Sequence, residues 1–253
     1  MNHGLLRSLK VLKSCGAKGL KTSFEDEGAH PHNVYKLRNI TNKVGLDLTV
    51  KIGGAEARTD FRMAVDMDSD GIVAPMIESP FALSKFTSYT KSFDLIRGIN
   101  IESKQAVENL DFILTSEHMK YIDYICVGRS DLASSYEEDV FSSEFCKTVT
   151  DVLTKIKNAN VRACMGGSFD YRSFEFVKYL HEQDLIDKVE TRYIVFDANE
   201  NFIKKFDTSM NQALQFEREY MTLLYEKGYA ENQEFFLRRD EINKRLSQQI
   251  DYR

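Results

Sequence analysis

The 253-residue sequence predicts a TIM-like (β/α) barrel, and three observations predict it. Short runs rich in Val, Ile, Leu and Phe alternate with longer segments of helical period, the pattern of parallel strands covered by helices. No GxGxxG follows the first strand, which argues against an open doubly wound sheet. Polar residues close most of the apolar runs, where a barrel of parallel strands builds its active site.

Strands are expected at 19–25, 46–52, 71–77, 94–101, 121–127, 160–166 and 191–197. Helices are expected between them at 33–44, 56–68, 80–91, 103–117, 142–158 and 171–186, several opened by a Pro, Ser or Asp suited to a helix start. Before residue 19 the chain already reads as helical, with Leu5, Leu6, Leu9 and Leu12 on one face. The eighth strand is therefore missing, irregular or replaced, a regular first strand being the one in question. After Asp197 two amphipathic helices are expected at 209–227 and 231–249, separated at Gly228 and Tyr229, with Leu214, Met221, Leu224 and Tyr225 on one face. This divides the chain into a barrel, 1–208, and a C-terminal helical extension, 209–253, packed on the barrel or on a neighbouring subunit of a homo-oligomer.

A hydrophobic content of 42% suits one large core. Lys and Arg number 34 against 39 for Asp and Glu, a net charge of -5 with no strong basic run, so neither nucleic acid nor an anionic membrane is an indicated partner. Cys15, Cys126, Cys146 and Cys164 show no CxxC spacing and read as reduced thiols of a cytoplasmic protein. No secretion signal is read, and no apolar run approaches the about 18 residues of a membrane span.

Among the strand ends, Glu102 and Asp131 lie one strand–helix–strand step apart, which places their carboxylates side by side on one rim. Two adjacent oxygen ligands suit Mg²⁺ or Mn²⁺. The simpler alternative is that each acid caps the helix it precedes.

The segments KIGGAEARTD, IVAPMIES, INIESKQAVENLDFIL and YICVGRSDLASS resemble the HpcH/HpaI aldolase and citrate lyase beta-subunit family, in the same order and at nearly the same spacing. The resemblance covers roughly residues 18 to 200, and its most specific parts run from Ile101 to Leu110 and from Gly128 to Leu132. It implies that Glu102 and Asp131 bind the divalent ion, and that backbone amides around Gly128, Arg129 and Ser130 hold the carboxylate of a pyruvate-like ligand. It also implies proton transfer through an acid and a His in the loop from Glu25 to His30. His30 is the preferred match, His32 its rival, and Glu25 or Glu27 the acid. Family members usually carry Arg where this chain has Lys51, which keeps the charge but not the bidentate fork. Arg58 and Arg129 are candidate cationic contacts for an acidic or phosphorylated co-substrate, and Gly166-Gly167-Ser168 offers backbone amides to an anion.

The expected activity is that of a metal-dependent class II aldolase-type lyase acting through the enolate of pyruvate or a related 2-oxo acid, with an aldehyde or phosphorylated co-substrate. Alternatives are a Schiff-base enzyme using Lys51, use of phosphoenolpyruvate or an acyl-CoA thioester, and a catalytically inactive ligand-binding or scaffold barrel.

Overall fold

The computed structural model describes residues 3–229 and 232–248. Helix α1 (His3–Ser14) precedes eight strands that close into one barrel in chain order. These are β1 (Ala17–Ser23), β2 (Asp47–Lys51), β3 (Gly71–Ala74), β4 (Ile96–Ile101), β5 (Tyr124–Gly128), β6 (Arg162–Gly166), β7 (Lys188–Glu190) and β8 (Ile194–Asp197). Between the strands lie α2 (Pro31–Val44), α3 (Arg58–Asp66), α4 (Pro80–Thr90), α5 (Lys104–Glu108), α6 (Leu110–Leu114), α7 (Arg129–Tyr136), α8 (Ser143–Asn158) and α9 (Phe174–Glu182). After β8 come α10 (Glu200–Lys204), α11 (Phe206–Glu226) and α12 (Asn232–Gln248).

The first strand is present and pairs with β2 over five residues, with a register shift between Ala17 and Gly19 where it meets β8; the strand missing from the sequence pattern lies near the other end of the chain. The segment expected as one strand at 191–197 divides into a turn, 191–193, and β8, and it follows a three-residue strand that the sequence pattern does not reveal. A parallel partner for β7 would need a crossover of a dozen or more residues. Three residues allow only a hairpin, so β8 runs antiparallel to β7 and to β1. Thr191 fixes the turn: its hydroxyl accepts from the Ile194 amide at 3.0 Å. The other neighbouring pairs are parallel, and strands such as β3 and β5 are buried on both faces, as their continuous apolar runs anticipate.

Two apolar regions lie at the barrel, and a third lies between α11 and α12. The larger lies between the barrel wall and its helices and takes in Leu5, Leu9 and Leu12 of α1 and Phe206, Met210, Ala213, Phe216 and Tyr220 of α11. Leu224 also packs on this region, whereas Leu214, Met221 and Tyr225 meet Phe235, Ile242 and Leu246 of α12. Helix α11 thus joins the main core and α12 packs on α11, and the expected end positions 231 and 249 of the last helix lie outside the described residues. The smaller region is Val73, Tyr124, Cys126 and Cys164, contributed by β3, β5 and β6. Tyr124 fills the space over Gly98, where an added Cβ would lie 2.4 Å from the ring carbon Cζ, and the Lys188 ammonium sits 4.1 Å from the ring centroid. Buried on all sides, Tyr124 has nowhere to move. Gly98→Ala is therefore expected to lower unfolding free energy by roughly 1–3 kcal/mol in denaturant titrations, the cost of overpacking a filled core.

Candidate active site

A cavity of about 380 Å³ opens at the C-terminal ends of the parallel strands. Its barrel-side lining includes Lys21, Ser23, Lys51, Asn100, Glu102, Cys126, Gly128, Ser130 and Asp131. Asp26 and Glu27 line it from the loop after β1, Gly166 to Phe169 from the end of β6 and its loop, and Thr191 and Arg192 from the hairpin turn. The extension closes the far side with Met210, Leu214 and Glu217 of α11 and Arg238, Glu241 and Arg245 of α12.

Neither candidate ligand is spent on a helix cap. Ser103, not Glu102, caps α5, its hydroxyl accepting from the Ala106 amide at 3.1 Å. Asp131 lies in the first turn of α7, whose N-cap is Gly128 without a side-chain cap bond. Glu102, 2% exposed, instead receives the Asn100 amide on Oε2 at 2.9 Å and the Met76 backbone amide on Oε1 at 3.0 Å. Met76 turns that amide toward Glu102 by adopting a left-handed conformation, φ 52°, which an unbranched side chain seldom takes. Gly128 leaves space for the same carboxylate, since a Cβ there would lie 2.7 Å from Glu102 Oε2. Asn109 belongs to this frame, its amide reaching the Glu78 carbonyl at 2.8 Å while the Ser103 hydroxyl donates to the Glu78 carboxylate.

Burial raises the carboxyl pKa of Glu102 and of Asp131, and the Lys51 ammonium opposes the rise in both. Asp131 adds to the rise at Glu102, and Asp26 to that at Asp131. Lys51 is itself paired with Asp26 at 3.0 Å. Burial would raise Asp26 too, but the neighbouring ammonium holds it below the usual carboxylate range. The cluster is short of positive charge, and its two acids retain oxygen lone pairs beside the cavity. That donor set fits a hard divalent cation.

The loop after β1 departs from expectation. His30, the preferred proton carrier, caps α2 through Nδ1, which accepts from the His32 amide at 3.2 Å; neither histidine lines the cavity. Glu25 is exposed and also lies outside the lining. Glu27 is the acid that enters. Its Oε2 accepts from Thr22 and from the Ser23 amide at 3.2 and 3.3 Å, and Arg192 stands 3.6 Å from Oε1. Burial pushes its pKa up from 4.5 to about 7 against the opposing charges of Arg192 and Lys21.

Two arginines also fall elsewhere. Arg58 lies outside the lining, over the Tyr89 ring at 5.0 Å. Arg129 is 1% exposed and faces inward, donating from Nη2 to the carbonyls of Gly167 and Ser168 at 2.8 and 3.1 Å, with Phe169 against its guanidinium. Burial lowers its pKa to about 10. Its side chain braces the loop after β6 rather than presenting a charge to a ligand. Lys21 and the residues of α11 and α12 were not anticipated: a lone lysine in an apolar run and a helix remote in sequence carry no local sign of a shared cavity.

The strands define a closed α/β barrel with its cavity at the C-terminal ends of the parallel strands. No protein-family model and no curated protein matches the sequence. Among solved structures, the chain is similar to an HpcH/HpaI aldolase from Desulfitobacterium hafniense DCB-2, with a TM-score of 0.63 and 13% identity over 75% of this chain and 81% of that one. It is also similar to an HpcH/HpaI aldolase/citrate lyase family protein from Burkholderia cenocepacia J2315, with a TM-score of 0.61 and 16% identity over 86% and 92% of the respective chains. A third is the protein CitE from Mycobacterium tuberculosis in complex with magnesium and acetoacetate, with a TM-score of 0.51 and 14% identity over 81% and 86%. At such identities the likeness is one of fold.

Replacing Arg129 by Met leaves the half-buried Gly167 and Ser168 carbonyls without their donor and removes a buried guanidinium from against Phe169. Thermal and denaturant unfolding are expected to show a loss on the order of 3 kcal/mol.

Proposed function

We propose that this chain is a metal-dependent lyase of the class II aldolase type, forming or cleaving a carbon–carbon bond next to the carbonyl of pyruvate or a related 2-oxo acid. The observation that carries the proposal is the release of Glu102 and Asp131 from helix capping onto one cavity. The magnesium in the structurally similar CitE complex supports the choice of a hard divalent ion, Mg²⁺ or Mn²⁺.

Glu102 and Asp131 would hold that ion. When bound, it would supply Lewis-acid stabilisation of negative charge on the keto oxygen of the 2-oxo acid. Asn100 and the Met76 amide fix the rotamer of Glu102, so that its remaining lone pairs stay directed by two hydrogen bonds. Lys51 places positive charge beside both acids and the incoming carboxylate. The first amides of α7, at Arg129, Ser130 and Asp131, lack helical partners and suit a carboxylate at the helix start. Glu27, rather than Glu25 or His30, holds and moves the proton. A pKa near neutrality lets one carboxyl accept and return it. A Schiff base at Lys51 gains no support, since its ammonium is held by Asp26.

The cationic groups on the cavity's outer wall, Arg192, Arg238 and Arg245, favour a co-substrate aldehyde that carries an acidic or phosphoryl group, or phosphoenolpyruvate in its place. The proposal also takes the chain to be cytoplasmic, in keeping with its free cysteines, and homo-oligomeric. Phe81 and Phe112, 70% and 67% exposed on the mutually packed helices α4 and α6, suit a subunit interface.

Deuterium exchange into the methyl group of pyruvate, followed by NMR with Mg²⁺ or Mn²⁺, tests the reading. Exchange is expected to stop on chelation and to fall by roughly a hundredfold or more in Glu102→Gln and Asp131→Asn. Exchange that survives chelation would exclude the metal role, and none with any divalent ion would favour a binding or scaffold barrel.

Glu27 gives a pH signature. As a base it must be ionised, so exchange should rise as pH passes upward through about 7, and Glu27→Gln should flatten the profile and lower the rate by roughly a hundredfold. Stability should move the opposite way. The folded state holds this proton more tightly than the unfolded chain, so the favourable contribution is complete below 4.5 and lost as pH climbs through about 7. Glu27→Gln is therefore expected to stabilise the protein at alkaline pH, by at most on the order of 3 kcal/mol, and to leave acidic stability unchanged.

A further inference from the structure

A second cluster of ligand-type atoms lies behind the cavity floor, away from the Glu102 and Asp131 rim, and reaches the cavity through Cys126. Cys126 of β5 and Cys164 of β6 are directly paired across the parallel ladder. With Glu190 of β7 they bring two sulfurs and a carboxylate oxygen within 4.8 Å of one another. Cys126 lines the cavity, and Gly166 beside it leaves the sulfur uncovered, since a Cβ there would lie 3.1 Å away. Glu190 is 1% exposed, and the ion pair with Lys21, at 2.9 Å, uses only Oε2. Its Oε1 is buried without a hydrogen-bond partner among the described residues. A native core seldom leaves a carboxylate oxygen in that state.

We propose that Cys126, Cys164 and Glu190 form a metal site of their own, for a thiophilic divalent ion such as Zn²⁺, with its open position toward the cavity. Two thiols and one carboxylate are the ligand types that such an ion selects over Mg²⁺, and three protein ligands leave a fourth tetrahedral position free. Loading exchanges two thiol protons for one dication: the ion, two thiols and the carboxylate become a bis-thiolate carboxylate complex of charge -1 and two released protons. The neighbouring Lys21 ammonium supplies the balancing positive charge. Buried as it is, that ammonium would be hard to reconcile with a bare cation, but it suits an anionic complex. Cluster and lysine together carry the same net charge before and after loading, so the site fills without adding an unpaired charge to the barrel interior. The site is independent of the proposed activity, because it shares no ligand with Glu102 and Asp131.

Cobalt distinguishes the two sites, because thiolate ligation gives a sulfur-to-metal charge-transfer absorption that oxygen ligands do not. Cys15→Ser/Cys146→Ser leaves Cys126 and Cys164 as the only thiols and spares the barrel interior. This variant, reduced and titrated with Co²⁺, should develop the absorption to one equivalent, release two protons per cobalt to an indicator dye, and lose the band on addition of Zn²⁺. The band should persist in Glu102→Gln/Asp131→Asn and vanish in Cys126→Ser and Cys164→Ser. No charge-transfer band in the folded, reduced variant would overturn the proposal, as would a band that survives Cys126→Ser.

Discussion

Closure of the barrel depends on how little chain separates β7 from β8. With three residues between them the last strand must turn back, and it can satisfy both neighbours only by running against them. That reversal brings the Thr191–Arg192 turn up to the rim where the parallel strands end, so residues that a helical crossover would have carried elsewhere border the cavity. It also closes β8 onto β1, with the Lys21 amide bonded to the Tyr193 carbonyl at 2.7 Å, and so sets Lys21 opposite Glu190. A buried ion pair is costly unless its geometry is good. Here burial works against the lysine's charge, yet the facing carboxylate outweighs it and holds the ammonium more firmly protonated than an ordinary lysine.

The interior differs accordingly from the branched aliphatic layers that usually fill such a barrel. Tyr124 occupies the place of several smaller side chains by lying over Gly98, and Lys188 sits on its ring. Lys21 and Cys126 reach the cavity floor, which is continuous with the carboxylates of the rim through Asn100 and Gly128, while Cys164 and Glu190 lie behind them. One cavity therefore presents hard oxygen donors at its rim and sulfur at its floor. That separation by chemistry, more than by distance, is what would let two different cations sort between them.

The elements legible in the sequence were those long enough to show a period. Strands β1 to β6 and helices such as α2, α4 and α8 fall close to their expected positions. A three-residue strand has no period, so β7 could not be read, and the strand that seemed missing at the start of the chain was missing from the pattern near its end. The place of Glu102 and Asp131 on one cavity is legible because each follows a strand in a distinctive local motif. The choice among Glu25, Glu27 and His30 was not, because it turns on which way a loop folds. The Thr22 hydroxyl and the Ser23 amide draw Glu27 inward, while His30 is used to start α2. Arg129 shows the same limit, since its neighbours in sequence reach the cavity and its own side chain turns away to the loop after β6.

The extension beyond the barrel completes the site rather than appending to it. Arg238 lies between Glu217 and Glu241, at 2.6 Å from each, and Arg245 pairs with Glu241 as well. These pairs tie α12 to α11 at the wall of the cavity, while Leu214, Met221, Phe235 and Ile242 supply the apolar contact beneath them. Because each arginine already has a carboxylate, an anionic co-substrate would have to compete with Glu217 and Glu241 for it. The gain from such an exchange is largest for a doubly charged group and small for a single carboxylate. Selection among co-substrates would then be set by α11 and α12, and Glu102 and Asp131 would be common to all of them.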